Sequence, residues 1–115
     1  MSHFHAVVWI DHREARIFHF NADEADKLTL RAHHAVADPH FFHEVAAAVA
    51  DAGEILITGP SGAKTDLVKH MAKRVPQVFS HIVGIESSDH PTDGQLLAHA
   101  RHYFKAADRK IPQKA

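Results

Sequence analysis

The sequence predicts an α/β fold in which one mixed five-stranded sheet carries helices on both faces. Three observations predict it. Five short β-rich runs are separated by turn residues. The first two connections are too short to be anything but hairpins, so strand 2 runs antiparallel to its neighbours. The last two runs are each preceded by a stretch of helical period, the pattern of strand–helix crossovers.

Phe4 to Ile10 (Phe-His-Ala-Val-Val-Trp-Ile) is continuous and β-rich, as a strand buried on both faces is. Asp11 to Glu14 is a polar break, and Ala15 to Phe20 is the return strand of a hairpin. Asn21 to Glu24 makes the next turn. Leu28, Leu30 and Ala32 then alternate with Lys27, Thr29 and Arg31, which predicts a half-buried third strand. Asp38 and Pro39 are a helix cap and a first helical residue. Phe42, Val45, Val49 and Ala52 follow on one helical face to residue 52, with Gly53 as terminator. Glu54 to Thr58 is a short apolar strand. A second helix follows Gly59-Pro60-Ser61-Gly62, turns Leu67, Val68, Met71 and Val75 inward and stops before Pro76. Residues 81–86 form the fifth strand. Thr92 and Gln95 make a capping box for a last helix that buries Leu96, Leu97, Ala100 and Phe104.

Helical crossovers make strands 1, 4 and 5 parallel. The continuous apolar runs place strands 1 and 4 at the centre, and the alternating third strand at an edge. The predicted order is 3-2-1-4-5, in a three-layer α/β/α arrangement of the ribonuclease H-like kind. Residues 1–107 read as one domain and 108–115 as a polar tail.

The composition sets the class. With 115 residues, 45% hydrophobic and 23% charged, the chain reads as one soluble domain. The apolar run Ala6 to Ile10 is far too short to span a bilayer, so no membrane is expected and the cytoplasm is the expected compartment. Without cysteine there is no disulfide, thiol nucleophile or thiolate metal site. Residues 1–60 hold four Lys/Arg against nine Asp/Glu, and residues 61–115 hold nine against five. The second half therefore offers basic surface to an acidic partner. Thirteen histidines add positive charge just below neutral pH, so polyanion binding should strengthen as pH falls.

"ITGPSGAKTDLVKHM", residues 57–71, resembles a phosphate-binding loop at first sight. A Walker A loop needs its second glycine directly before the lysine. Here Ala63 intervenes, and Gly59 lies five residues before Lys64 rather than six. Nucleotide hydrolysis is not supported. What survives is a glycine turn into a helix N-terminus that favours an anion, beside Lys64, against the plainer reading of a strand-to-helix turn.

Ligands of open α/β sheets bind outside the carboxyl ends of the strands. That makes Asp11, His12, Asp89, His90 and Asp93 the carboxyl-edge candidates, with Lys64 beside them. A two-metal nuclease of this fold needs carboxylates on strand 1, helix 1 and the end of strand 4. Asp11 and Glu44 fit the first two, but Thr58-Gly59 supplies none. The pairs His3/His5, His40/His43 and His99/His102 have two-ligand spacing, and no stretch supplies a third. No metal and no cofactor are expected. No serine lies in a nucleophile elbow, so a Ser-His-Asp hydrolase is not supported.

The basic candidates for RNA or anion binding are Gly59, Gly62, Lys64, Lys69, Lys73 and Arg74 on or beside the second helix, and Arg101 and Lys105 on the last. Such residues suffice for phosphate contacts. Base-specific readout is not expected, because no aromatic residues are interleaved with the charges.

"ILITGPSGAKTDLVKHM" resembles the strand–Gly-Pro–helix segment in the central domain of the archaeal and eukaryotic class 1 peptide release factor and of Pelota. With "AVVWIDHREARIFHF", "FFHEVAAAV" and "IVGIESSDHPTDGQLLAHARHYF", it is similar to a small bacterial family of translational machinery or release-factor-like proteins. Asp89-His90-Pro91-Thr92-Asp93-Gly94-Gln95-Leu96 is specific to that family. The resemblance spans nearly the whole chain and implies the ribonuclease H-like fold. Release-factor catalysis depends on a Gly-Gly-Gln loop between strand 3 and helix 1. The matching connection here, "RAHHAVADPHFF", has no such tripeptide, and Gly94-Gln95 sits at a helix start. Family members carry a longer Gly- and His-rich stretch at this junction than this chain does.

The sequence thus reads as a non-enzymatic, translation-associated module that binds ribosomal or structured RNA through a basic helical face, with self-association as a homodimer in view. The alternatives are a metal-dependent hydrolase or nuclease built on the carboxyl-edge cluster, and a small regulatory protein–protein interaction module.

Overall fold

The structure, a computed structural model, describes residues 4–33, 38–60 and 62–110, with side chains described as far as Lys105. Its elements are β1 (His5–Ile10), β2 (Glu14–Phe20), β3 (Ala25–Arg31), α1 (Pro39–Ala48), β4 (Glu54–Gly59), α2 (Gly62–Arg74), α3 (Pro76–Phe79), β5 (Ile82–Ser87) and α4 (Asp93–Lys110). The sheet has the order β3-β2-β1-β4-β5. β2 is antiparallel to both β1 and β3, and β1, β4 and β5 are parallel. This is the mixed five-stranded α/β fold that the patterning predicts.

Strand alternation divides the core in two. Ala6, Val8 and Ile10 of β1 and Ile55 and Ile57 of β4 face one side, where Phe41, Phe42, Val45, Leu67, Met71 and Val78 cover them. Val7, Trp9 and Leu56 face the other side, against Leu96, Ala100 and Phe104 of α4. α1, α2 and α3 therefore form one layer and α4 the opposite one. β1 and β4 carry apolar residues on both faces because both faces are covered.

Local chemistry sets the helix starts. The Asp38 carboxylate accepts from the amides of His40 and Phe41 at 3.1 and 3.3 Å. Thr92 and Gln95 exchange the reciprocal bonds of a capping box at 3.0 and 3.1 Å.

Two helix ends, the exposure of β3 and an added short helix after α2 differ from the pattern. α1 ends at Ala48, not 52; Val49 caps it, and a turn in which Ala52 donates to the Val49 carbonyl still buries Val49 and Ala52. Gly53 accordingly lies just before β4 rather than ending a helix. β3 is exposed almost throughout rather than half-buried, and of its residues Leu30 alone is partly buried, against the core on the α1 side. Pro76 starts the short helix α3, which buries Val78. Finally, α4 continues to Lys110, past the expected domain boundary at 107.

Candidate functional site

The carboxyl ends of β1, β4 and β5 meet at one edge of the sheet. β4 ends at Gly59, whose φ is +155°. A Cβ on Gly59 would lie 2.2 Å from the Ile10 carbonyl oxygen. The glycine is there for the backbone, so that β4 can pass β1 and turn into α2. Its own carbonyl accepts from the Ser88 amide at 2.9 Å, which fastens the end of β5 to the same turn. Gly62 has nothing within 4 Å of a built Cβ, so sterics do not demand glycine there. The loop is a strand-to-helix turn, and Ser61 within it lies outside the described residues. Lys64 is half-buried on the first turn of α2.

Around this edge the predicted cluster assembles in part. Asp11 Oδ1 accepts from the amides of Arg13 and Glu14 at 2.8 and 2.9 Å, closing the β1–β2 turn. Its Oδ2 lies 3.7 Å from His90 Nε2, and His90 Nδ1 lies 3.1 Å from Asp89 Oδ1. The His90 ring also packs on Trp9 at 4.9 Å between centroids. Asp11, Asp89 and His90 thus form one group. His12 does not join it, and lies 3.9 Å from Asp66 of α2 instead. Asp93 is a fastener: its Oδ1 accepts from Arg16 at 2.9 Å and its Oδ2 from Lys27. Those two cations, Lys27 first, hold the Asp93 carboxyl below its usual range against the opposing effect of burial. Trp9 Nε1 donates to the Asp89 carbonyl at 2.7 Å, and Arg16 sits over the indole. Trp9, Arg16 and Lys27 escape motif reading because only strand pairing brings them to the start of α4.

Beside this group a cleft of about 510 Å³ is lined by Thr58, Ser87, Ser88, Gln95 and the pair Glu86–His99, which meet at 2.7 Å. Thr58 Oγ1 donates to Ser88 Oγ at 2.8 Å. Among the described residues, no group of three or more His, Asp or Glu is arranged to hold a metal ion. His3 lies outside the described residues. His40 pairs with Glu44 at 3.8 Å, while the His43 ring lies 6.5 Å from that of His70. Burial, and then Arg74 and His43, push the His70 pKa down, and His70 Nε2 is buried with no hydrogen-bond partner among the described residues.

The basic candidates are split by the fold. Lys69, Lys73 and Arg74 are exposed on α2. Arg101 and Lys105 are on α4, in the opposite layer, so the eight predicted residues do not share a single face. Arg101 and Lys105 instead line a cleft of about 480 Å³ at the other end of the sheet, with His5, Phe20, Asn21, Ala22 and Phe104. The rings of Phe20 and Phe104 stand beside these two cations, and both are buried. Chain distance hides this, since His5 and Phe20 precede Arg101 by most of the chain.

The fold and its edge define an open, mixed-sheet α/β domain with a polar cluster at the carboxyl ends of parallel strands. Solved structures that share this fold include an archaeal translation termination factor and a translation termination-like factor. Pelota from Archaeoglobus fulgidus matches with a TM-score of 0.66 and 16% identity over 93% of this chain and 31% of its own. The archaeal translation termination factor aRF1 matches with a TM-score of 0.62 and 12% identity over 91% and 38%. Dom34 from S. cerevisiae, a translation termination-like factor involved in RNA quality control pathways and interacting with Hbs1, matches at 0.65 and 9% over 90% and 34%. The chain spans about a third of the length of these proteins, and the likeness is one of fold. No family model matches the chain. No curated protein matches it. Among the described residues, no helix is long and apolar enough to cross a membrane.

Proposed function

We propose that this chain is a translation-associated, non-enzymatic module that binds ribosomal or structured RNA, and that it belongs to the small bacterial release-factor-like family. The observation that carries this reading is the fold, which matches one segment of Pelota, aRF1 and Dom34 over at least nine-tenths of this chain. Exposed Lys69, Lys73 and Arg74 on α2 support phosphate contacts. The absence of a Gly-Gly-Gln tripeptide supports a role in binding rather than peptide release. The test is co-sedimentation with bacterial ribosomes at low and high salt, at about pH 6.5 and about pH 7.5. Salt-sensitive binding, stronger at the lower pH, is the expected result. An RNA affinity unchanged in the double variant Lys69→Glu, Lys73→Glu sinks the α2 face as the contact.

A second reading, a homodimer or protein-interaction module, draws on β5. This strand is one edge of the sheet, and its Val83 and Ile85 are 45% and 50% exposed. The edge at β3 instead carries Asp26, Lys27 and Arg31, charges of the kind that discourage strand pairing. Apolar association through β5 would tolerate salt that releases RNA.

A further inference from the structure

Between the start of α1 and the end of α2 lies a cleft of about 470 Å³, lined by Pro39, His40, His43, His70, Arg74 and Val75. Four of these six residues carry or can acquire positive charge, and among the described residues no carboxylate lines the cleft. His40, His43 and Arg74 are exposed, and His70 is half-buried. The rings of His43 and His70 stand 6.5 Å apart at 74°. After burial, Arg74 and then His43 depress the His70 pKa, as a locally positive field does. The carboxylates on these elements are engaged. Asp38 caps α1 and also accepts from the His33 amide at 3.4 Å, and Glu44 lies 3.8 Å from His40 Nε2 at the rim. Asp66 of α2 stands two turns before Arg74, beside His12. The last turn of α2 is basic, with Lys73 next to Arg74, and α3 carries no charged side chain. Arg31 of β3, the strand that α1 packs on, pairs with Glu14 at 3.4 Å.

We propose that this cleft holds a phosphate group of an RNA backbone, with Arg74 of α2 and His43 of α1 as its donors and His40 at the rim. The proposal rests on the RNA-binding reading above for the source of the phosphate, and it turns part of the exposed α2 surface into a defined pocket. A carboxylate is met by one arginine fork, whereas donors arriving from two helices suit the several oxygens of a phosphate. His70 Nε2 is closed to solvent and donates nothing to the ligand. Its charge state reports the ligand through space instead: an anion beside Arg74 offsets the positive field on His70.

The experiment is fluorescence anisotropy with a labelled blunt RNA duplex of about ten base pairs, at about pH 6.5 and about pH 7.5. It uses the wild-type chain, Arg74→Gln, Arg74→Lys, His43→Gln and, as a control on the exposed surface of α4, His102→Gln, with each fold checked by thermal melting. Arg74→Gln is expected to weaken binding roughly 3- to 10-fold and to lower the slope of log K against log salt by about 1. Arg74→Lys keeps the charge and recovers part of the affinity. His43→Gln should weaken binding more at the lower pH than at the higher, and His102→Gln at neither. In parallel, the His70 ring is titrated by NMR in inorganic phosphate and in chloride of matched ionic strength. Phosphate should raise the His70 pKa in the wild-type chain and leave it in place in Arg74→Gln. RNA affinity that ignores both Arg74→Gln and His43→Gln overturns the pocket and leaves the RNA-binding reading standing. Should Arg74→Gln fail to fold, a wild-type His70 that ignores phosphate overturns the pocket as well. A wild-type chain that binds no RNA while His70 still answers to phosphate overturns the RNA-binding reading and assigns the pocket to a free phosphate. Polyglutamate that moves His70 as far as phosphate does, at equal charge, overturns phosphate as the group held and gives the pocket to an acidic protein.

Discussion

Arg16 and Trp9 face each other across the β1–β2 ladder, with the guanidinium carbon 4.5 Å from the centroid of the buried indole. Through this pair the sheet grips the start of α4: Arg16 bonds Asp93, and Trp9 bonds the Asp89 carbonyl. Arg16→Met keeps the aliphatic stem and removes both the cation–π contact and the bond to Asp93. It should cost about 1–2 kcal/mol in urea unfolding. Arg16→Lys should recover only part of that loss, because an ammonium does not stack as a guanidinium does. A change below about 0.5 kcal/mol for Arg16→Met would mean that the grip is ornamental.

Asp93 adds a pH signature. Lys27 and Arg16 lower its pKa in the folded state, so its contribution to stability is fully present above the unfolded carboxyl pKa. That contribution is lost as pH falls through the folded value. Asp93→Asn should flatten the acid limb of a stability–pH curve below about pH 4. Half-exposed ion pairs are screened, so the loss at neutral pH should be no more than about 1 kcal/mol. Parallel acid limbs for wild type and variant would remove Asp93 from the account.

The two glycines of the β4–α2 turn should behave oppositely. Gly59→Ala forces a Cβ toward the Ile10 carbonyl at a φ that L residues avoid, and should destabilise the fold by about 2–4 kcal/mol. Gly62→Ala meets open space in the first turn of a helix and should be neutral or stabilising by up to about 1 kcal/mol. Thermal melts of both variants decide. A strongly destabilised Gly62→Ala would show that this turn needs more than a helical start.

His70 sits between α1 and α2 against Phe42 and His43, near Arg74. Its pKa is lowered, so the unfolded chain takes up the proton first. Stability should therefore fall as pH drops below about 6.5, and level off once the folded state is also protonated. His70→Gln should remove that part of the slope, as read from urea midpoints between about pH 7.5 and about pH 5. An unchanged slope would assign the loss to other histidines. The same pH fall strengthens any polyanion contact, so RNA affinity and fold stability should move in opposite directions.

β5 offers a direct check on self-association. Ile85→Lys places a charge in the middle of the exposed edge and should abolish a strand-paired dimer, leaving the monomer stable. Sedimentation equilibrium of the two proteins reads this out. A dimer that survives Ile85→Lys uses another surface.

Much of this molecule is legible along the chain because its elements are set by near neighbours. The Asp38 cap, the Thr92–Gln95 box and the apolar runs of β1 and β4 act over a few residues, and each appears where the pattern places it. Alternation and crossover length then determine the strand order, since few arrangements bury those runs on both faces. The end of α1 is less legible because Val49 and Ala52 keep the helical spacing of a buried face although the chain between them turns.

What only the tertiary structure decides is which distant side chains share a place. Strand pairing puts Arg16 over Trp9 and carries Lys27 to Asp93. Layering sends α2 and α4 to opposite faces and so divides cations that look like a single set in the sequence. Closure of the sheet brings His5, Phe20 and Phe104 beside Arg101 and Lys105. The physical reason is one of range. Caps, turns and periodicity are local consequences of backbone hydrogen bonding and burial, whereas a site is assembled from residues whose only common cause is the packing of the whole sheet.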